Sequence, residues 1–228
     1  MGECERLQEV LERIKRACDR AGRDPKGVTL LGATKTVPPE RIRRFYECGL
    51  KVFGENRAQE FLRKYEALKD LAIDWHFIGR LQTNKVKYLM GRVSLIHSLD
   101  RESLADEIQK RAQKAGIVQE VLIEVNVGGE ETKGGVDPEN LKRLTEYTLS
   151  KPNIRVIGLM AIPPYREDPE EVRPYFARLR DLKEELEREF SMDLPHLSMG
   201  MSHDFEVAVE EGATIVRIGT LLFGERRY

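Results

Sequence analysis

The amino-acid sequence predicts an α/β protein built as a single (β/α)8 barrel of the TIM type, spanning residues 1–228, with one extra helix at its N-terminus. Three observations point there. A short β-rich run followed by a polar turn and an amphipathic helix recurs eight times, the alternation that builds parallel sheets wrapped by helices. Composition does not shift from one unit to the next. No Gly-x-Gly-x-x-Gly turn follows the first run, so an open dinucleotide-binding sheet is disfavoured. The chain has 228 residues, slightly fewer than the roughly 250 usual for a barrel, which leaves no room for a second domain.

The extra helix covers about Cys4 to Ala21. Leu7, Val10, Leu11, Ile14, Ala17, Cys18 and Ala21 recur at helical spacing, and Gly22 suits the stop. The first unit is strand Val28–Lys35 with helix Pro39–Cys48, Pro39 fitting an opening turn and Gly49 an end. Lys51–Asn56 and Arg57–Leu68 form the second, Trp75–Gly79 and Thr83–Met90 the third, Val93–His97 and Glu102–Ala115 the fourth. The fifth is Glu120–Val127, a glycine-rich loop over 128–135, and helix Asp137–Ser150. Arg155–Ile162 and the long helix Glu170–Phe190 make the sixth, His196–Gly200 and Asp204–Glu211 the seventh. The eighth is Thr214–Gly219 with a short segment to Tyr228.

Charge excludes some functions. Lys and Arg total 38 against 39 Asp and Glu, a formal net charge of −1, so neither a nucleic-acid nor a membrane-surface partner is expected. The 34 % charged fraction exceeds the usual ~25 % and hints at a heat-tolerant source. Cys4, Cys18 and Cys48 form no paired-cysteine motif, so no metal or redox role is expected, and Cys18 belongs to the packed stripe of the first helix. A chain of this length needs no disulfide for stability. Without a leader-like or membrane-spanning run, a cytoplasmic protein is expected.

In a barrel, chemistry belongs at the C-terminal ends of the strands. There stand Lys35, Asn56, Arg80, Asn126, Ser202, Gly219 and Thr220. Lys35 ends an apolar strand; an amine partly withdrawn from water is neutral more often and can attack an aldehyde. The plainer alternative is a lysine that snorkels to solvent. Ser202 in Ser198–Ser202, with Gly219 and Thr220 in Val216–Thr220, offers hydroxyls and backbone N–H groups suited to a phosphate, or simply a cap and a tight turn. Arg217 shares an inward face with Gly219, and needs a ligand atom or an internal carboxylate such as Glu124 as partner. His76, His97 and His196 read as packed or hydrogen-bonded barrel residues, and His203 as a residue at the start of a helix. A Schiff-base lysine opposite a phosphate cradle, with an arginine between, describes a holder for pyridoxal 5′-phosphate.

The same residues carry a resemblance. Ala33–Lys35, Phe53–Asn56, Trp75–Gly79 with Leu81-Gln82 and Asn84-Lys85, His97–Asp100, Gly158–Met160, Leu197–Ser202 with Asp204, and Val216–Gly219 with Phe223-Gly224 are similar to the pyridoxal 5′-phosphate-binding homeostasis proteins. These are barrels like the N-terminal domain of alanine racemase, the fold type III barrel without its second β-domain. The resemblance implies an internal aldimine on Lys35, phosphate contacts from Ser202, Gly219 and Thr220, Arg217 facing the pyridine nitrogen, and Asn56 beside the cofactor. Lys133 matches a basic family position in a mobile loop. The resemblance also implies intracellular cofactor homeostasis, transient contact with apo enzymes that use the cofactor, and a monomer or weak dimer. No tyrosine, cysteine or histidine outside the barrel is available as a second acid/base, so no turnover is expected. An arginine donates to the ring nitrogen without protonating it, which makes a poorer electron sink. The alternatives are an amino-acid racemase or lyase with weak activity or its acid on a partner, and an unrelated Schiff-base barrel of the aldolase kind.

Overall fold

A computed structural model describes residues 1–226. Eight parallel strands close on themselves in sequence order: β1 Thr29–Ala33, β2 Val52–Glu55, β3 Asp74–Phe77, β4 Leu95–Leu99, β5 Gln119–Glu124, β6 Ile154–Met160, β7 His196–Ser198 and β8 Ile215–Ile218. Around them lie α1 Glu3–Arg20, α2 Pro39–Glu47, α3 Ala58–Ala67, α4 Glu102–Ala115, α5 Pro138–Leu149, α6 Arg173–Phe190, α7 Phe205–Glu210 and α8 Thr220–Phe223. The predicted barrel and its extra helix are what the chain forms. The third unit differs: residues Thr83–Tyr88 wind as a 3-10 helix, not the expected α-helix. The long sixth helix begins with a 3-10 turn, Pro169–Val172, before α6.

Strand pleating divides the core in two. Leu31, Ala33, Ile78, Leu95, Leu122, Met160 and Ile215 form a small apolar cluster, drawn from alternating inward positions of the strands. The opposite faces join the helices in a far larger cluster that includes Phe45, Phe53, Phe61, Phe176 and Phe205. The inward face also carries buried polar side chains: His76, His97, Glu124, Ser198 and Arg217. Apart from Glu55, which meets α3, these strand faces are largely apolar toward the helices and mixed inside, a division that places polar chemistry within the barrel.

The α1 stripe is narrower than its spacing suggests. Leu7, Val10, Ile14, Ala17 and Cys18 are buried, whereas Leu11 and Ala21 are exposed. The cysteine expectation needs a larger correction. Cys4 and Cys48 form a disulfide with Cα atoms 5.2 Å apart, tying the start of α1 to the residue that ends α2. Sequence separation of 44 residues hid the pair; the fold brings it together by laying α1 beside α2. Glu3 reinforces the seam, 3.1 Å from Arg44 and 3.7 Å from Arg41.

Candidate functional site

Lys35 sits two residues beyond the end of β1, not on the strand itself, and is half-buried. Inward parity continues from Leu31 and Ala33 to Lys35, which aims the side chain at the barrel mouth. The backbone on both sides of it is braced. Thr34 N–H and Oγ1–H both donate to Gly54 O, at 3.0 and 3.1 Å. Lys64 Nζ, buried, donates to Thr34 O at 2.5 Å and to Glu60 Oε2 at 2.8 Å. The same Glu60 oxygen accepts from Thr36 N–H at 3.0 Å. Thr36 has φ of +65°, a left-handed conformation that costs a β-branched residue about 1 kcal/mol or more and persists only where surroundings enforce it.

Beneath this turn lies a buried ion pair, with Glu55 Oε1 2.5 Å from Lys64 Nζ. Burial pushes Glu55 up to about 7, and Lys64 offsets that only in part. Burial opposes ionisation of Glu60 too, but its hydrogen bonds from Lys64 and Thr36 outweigh it and hold that carboxyl below its ordinary value. The triad is one unit that grips the peptide groups flanking Lys35.

Across the β1–β8 seam, Gly32 pairs with Ile218, which brings the residues after β8 against those after β1. A cleft of about 560 Å³ opens there, lined by Lys35, Thr36, Arg41, Gly219, Thr220 and Arg226 among others. A Cβ built on Gly219 meets no protein atom closer than Ala33 O at 3.5 Å. The backbone at Gly219 has φ of −110°, so the protein itself does not require glycine; a side chain there would fill the cleft. Ser202 approaches from the turn after β7, its Oγ accepting from Leu221 N–H at 3.3 Å. That turn passes through Gly200 at φ +100°, where a Cβ would lie 2.7 Å from Ala208 Cβ, so glycine is needed to let Ser202 approach.

The structure thus brings Lys35, Gly219 and Thr220 to one cleft, with Ser202 joined to its rim. Asn56 is opposite in register, since Ala33 pairs with Gly54. It lines an adjoining cleft of about 430 Å³ with Arg57, Gly79, Arg80 and Lys85. Arg217 lies deeper, 3 % exposed, and donates from Nη1 to Ser198 Oγ at 2.6 Å and from Nη2 to Ala161 O at 3.1 Å. Burial lowers it to about 10, against the attraction of Glu124 and Asp204. Its direct partners are therefore a hydroxyl and a carbonyl, with Glu124 as a nearby charge.

Sequence reading passed over Ser198 as a partner of Arg217 and the role of Asp204, whereas Glu124, expected as an internal carboxylate for Arg217, does act on it as a nearby charge. Glu124 is 8 % exposed and is pushed up to about 7 by burial and by Asp100, against Arg217 and Arg80. Burial also raises Asp204. Inward parity from Leu122 to Glu124 was the available signal. The expected histidines behave as packed residues: His76 and His97 are buried and bonded to each other, and His196 Nδ1 is 3.0 Å from Thr214 Oγ1. His203 stands just ahead of α7, with Nε2 2.8 Å from Glu167 O. Lys133 donates to Pro163 O at 3.1 Å and lies 3.5 Å from Glu130. Among the described residues no cluster of metal-ligating side chains occurs, and no helix is long and apolar enough to cross a membrane.

This is a fold type III barrel with a lysine and an open cleft of about 560 Å³ at its mouth. Residues 6–227 match the alanine racemase N-terminal domain, and the chain belongs to that family, within its branch of pyridoxal phosphate homeostasis proteins. It is 76 % identical to the pyridoxal phosphate homeostasis protein of Aquifex aeolicus, over 100 % of both chains. The solved structure of PipY from Synechococcus elongatus with PLP bound is similar, with TM-score 0.86 and 33 % identity, covering 98 % of this chain and 100 % of that one. Alanine racemase from Clostridium difficile shares the fold at TM-score 0.76 and 14 % identity, and the match covers 98 % of this chain but 58 % of that one.

Proposed function

We propose that this chain binds pyridoxal 5′-phosphate at the β1–β8 mouth and holds it for intracellular homeostasis and transfer, without turnover of its own. The observation that carries the reading is one cleft lined by Lys35, Gly219 and Thr220, in a chain 76 % identical to a pyridoxal phosphate homeostasis protein. The residues present fit the group. Glycine at 219 leaves the cleft open, Ser202 and Thr220 supply hydroxyls, and Arg226 adds a cation at the rim. Bound there, the cofactor offers an aldehyde that an amine captures reversibly as an imine with loss of water. Lys35 would be that amine, Asn56 would flank it, and Arg217 would supply an N–H for the ring nitrogen. A guanidinium held by Ser198 and Ala161 cannot give up its proton readily, so the ring is left a weak electron sink.

The reading is of a single barrel domain that works in the cytoplasm, as a monomer or weak dimer, meeting apo enzymes transiently. The Cys4–Cys48 bridge accords with that compartment in a heat-adapted source, since intracellular proteins of hyperthermophiles are a known exception to thiol reduction. Borohydride reduction of loaded protein followed by peptide mass spectrometry is the test. The cofactor's mass is expected on Lys35 and absent in Lys35→Ala; a tag on another lysine, or none, would overturn the proposal. A weak racemase or lyase is favoured by one observation, the buried Glu124 carboxyl poised near neutrality beside Arg217. Exchange of an amino acid's α-hydrogen for solvent deuterium at enzyme-like rates would establish it in place of the carrier.

A further inference from the structure

A line of polar side chains, hydrogen-bonded from Arg217 to His76 and ending in a longer contact with Asp74, crosses the barrel interior, and the proposed function uses only its upper end. Arg217 Nη1 donates to Ser198 Oγ at 2.6 Å. Ser198 Oγ lies 2.8 Å from His97 Nδ1, and His97 Nε2 lies 2.9 Å from His76 Nδ1. His76 Nε2 in turn is 3.5 Å from Asp74 Oδ2. The first four residues are buried. Asp74 is the first residue of β3 and lines a cleft on the opposite, N-terminal face of the barrel with Arg92, Ser94 and Glu120.

The two ends of this line set its direction. A guanidinium only donates, so Ser198 Oγ receives a hydrogen from Arg217 and keeps its own for His97 Nδ1. His97 then carries its hydrogen on Nε2 and gives it to His76 Nδ1. His76 carries its hydrogen on Nε2, toward the Asp74 carboxylate. The reverse order would aim the Nε2 lone pair of His76 at that carboxylate and leave the Ser198 proton unused. Successive donors polarise one another in a low-dielectric interior, so the favoured direction is reinforced along the line. His97 is neutral in this arrangement; burial, helped by His76 and Arg217, keeps it well below its ordinary value. The charges facing the line from other elements are Glu124 on β5 and Asp204 just ahead of α7, both at Arg217, with His196 and Glu120 near the floor.

We propose that Asp74 is a positioning residue for Arg217: it fixes one tautomer in His76 and His97, and so makes Ser198 hold the guanidinium in a single orientation toward the mouth. The functional part of this rests on reading Arg217 as the group that faces the cofactor ring. The competing account is that Ser198 and the Ala161 carbonyl hold Arg217 whatever lies behind them.

Nitrogen-15 NMR of histidine-labelled, cofactor-free protein decides between them. Both rings are expected as the Nε2–H tautomer, and Asp74→Ala should return a tautomer mixture for His76 and His97. The Asp74 side chain is 48 % exposed, so this change spares the core. In equilibrium dialysis with pyridoxal 5′-phosphate, Asp74→Ala should weaken retention roughly threefold to tenfold, the effect of one lost hydrogen bond. In a Ser198→Ala background it should add nothing, because the line is already cut. An Nδ1–H tautomer for His97, tautomers unmoved by Asp74→Ala, or additive losses in the double variant would each overturn the relay. Arg217→Met holding the cofactor as tightly as the natural chain would overturn the reading of Arg217 instead, with the ring tautomers still deciding the relay.

Discussion

Glu124 is, with Glu55, a carboxyl that burial carries well above its ordinary value. It sits among apolar neighbours on β5, with Asp100 on one side and Arg217 and Arg80 on the other, and burial pushes it up to about 7. For an acid whose folded value is raised, the folded state binds the extra proton. The stabilisation it brings is fully present below the unfolded value near 4.5 and is lost as pH rises through about 7. Glu124→Gln removes that dependence. The difference in unfolding free energy between the amide variant and the natural chain should move in favour of the amide between pH 5 and pH 8, by about 1–3 kcal/mol. Urea titrations at the two pH values measure it, and a difference that stays flat with pH would contradict the buried-carboxyl account. Lys35 poses the opposite problem: its position at the mouth was legible from one apolar run, but the turn that holds it was not. The left-handed Thr36 and its grip by Glu60 come from side chains of a helix more than twenty residues on, a distance that local pattern cannot cross.

That grip is a property of the β1–α2 turn and α3 together. Lys64 joins Glu55 at the end of β2, Glu60 on its own helix and the Thr34 carbonyl. Removing one partner of a buried pair leaves the other uncompensated, at a cost of about 3–5 kcal/mol. Lys64→Met should therefore lower the denaturant midpoint and, by freeing the turn, reduce the borohydride-trapped fraction at Lys35. Adding Glu55→Gln should restore part of the stability without restoring the trapping, since the Thr34 anchor remains lost and Glu60 no longer has Lys64 to hold it against Thr36. Full recovery of both would show that the triad serves stability alone. A second cross-element tie is the Cys4–Cys48 bridge. Closing 44 residues, it limits the unfolded chain and is expected to contribute about 2–4 kcal/mol. Cys4→Ser should lower the melting temperature, and dithiothreitol should lower the natural chain to the same value while leaving the variant unchanged. Helices and strands were readable because periodicity is local. These ties were not, because they join residues through the closed sheet.

At the scale of the whole barrel, the seams between strands are unequal. β1 and β8 pair over four residues, whereas β7 and β8 share a single registered pair, Ser198 with Ile215. The closure with the shortest registered pairing, carried on by backbone hydrogen bonds from Thr214, Met199 and Arg217 N–H, is thus the one whose upper end holds the proposed phosphate contacts. Ser202 follows β7, Gly219 and Thr220 follow β8, and protein atoms bridge the two turns there through Ser202 Oγ and Leu221 N–H. An anion held by both turns would add donors from each side and tie the shorter seam to the longer one. Ligand that binds only the folded chain stabilises it by about 2.7 kcal/mol at a hundredfold excess over its dissociation constant. Saturating pyridoxal 5′-phosphate should accordingly raise the melting temperature, and amide hydrogen exchange should slow most along β7 and β8. Inorganic phosphate, which cannot form a covalent bond with Lys35, should slow exchange in the same two strands but less. A Ser202→Ala, Thr220→Val variant should lose the phosphate effect while still forming the cofactor's bond to Lys35 with reduced affinity. Protection spread evenly over all the strands, or concentrated at β3 and β4, would place the anion elsewhere and separate the lysine from its cradle.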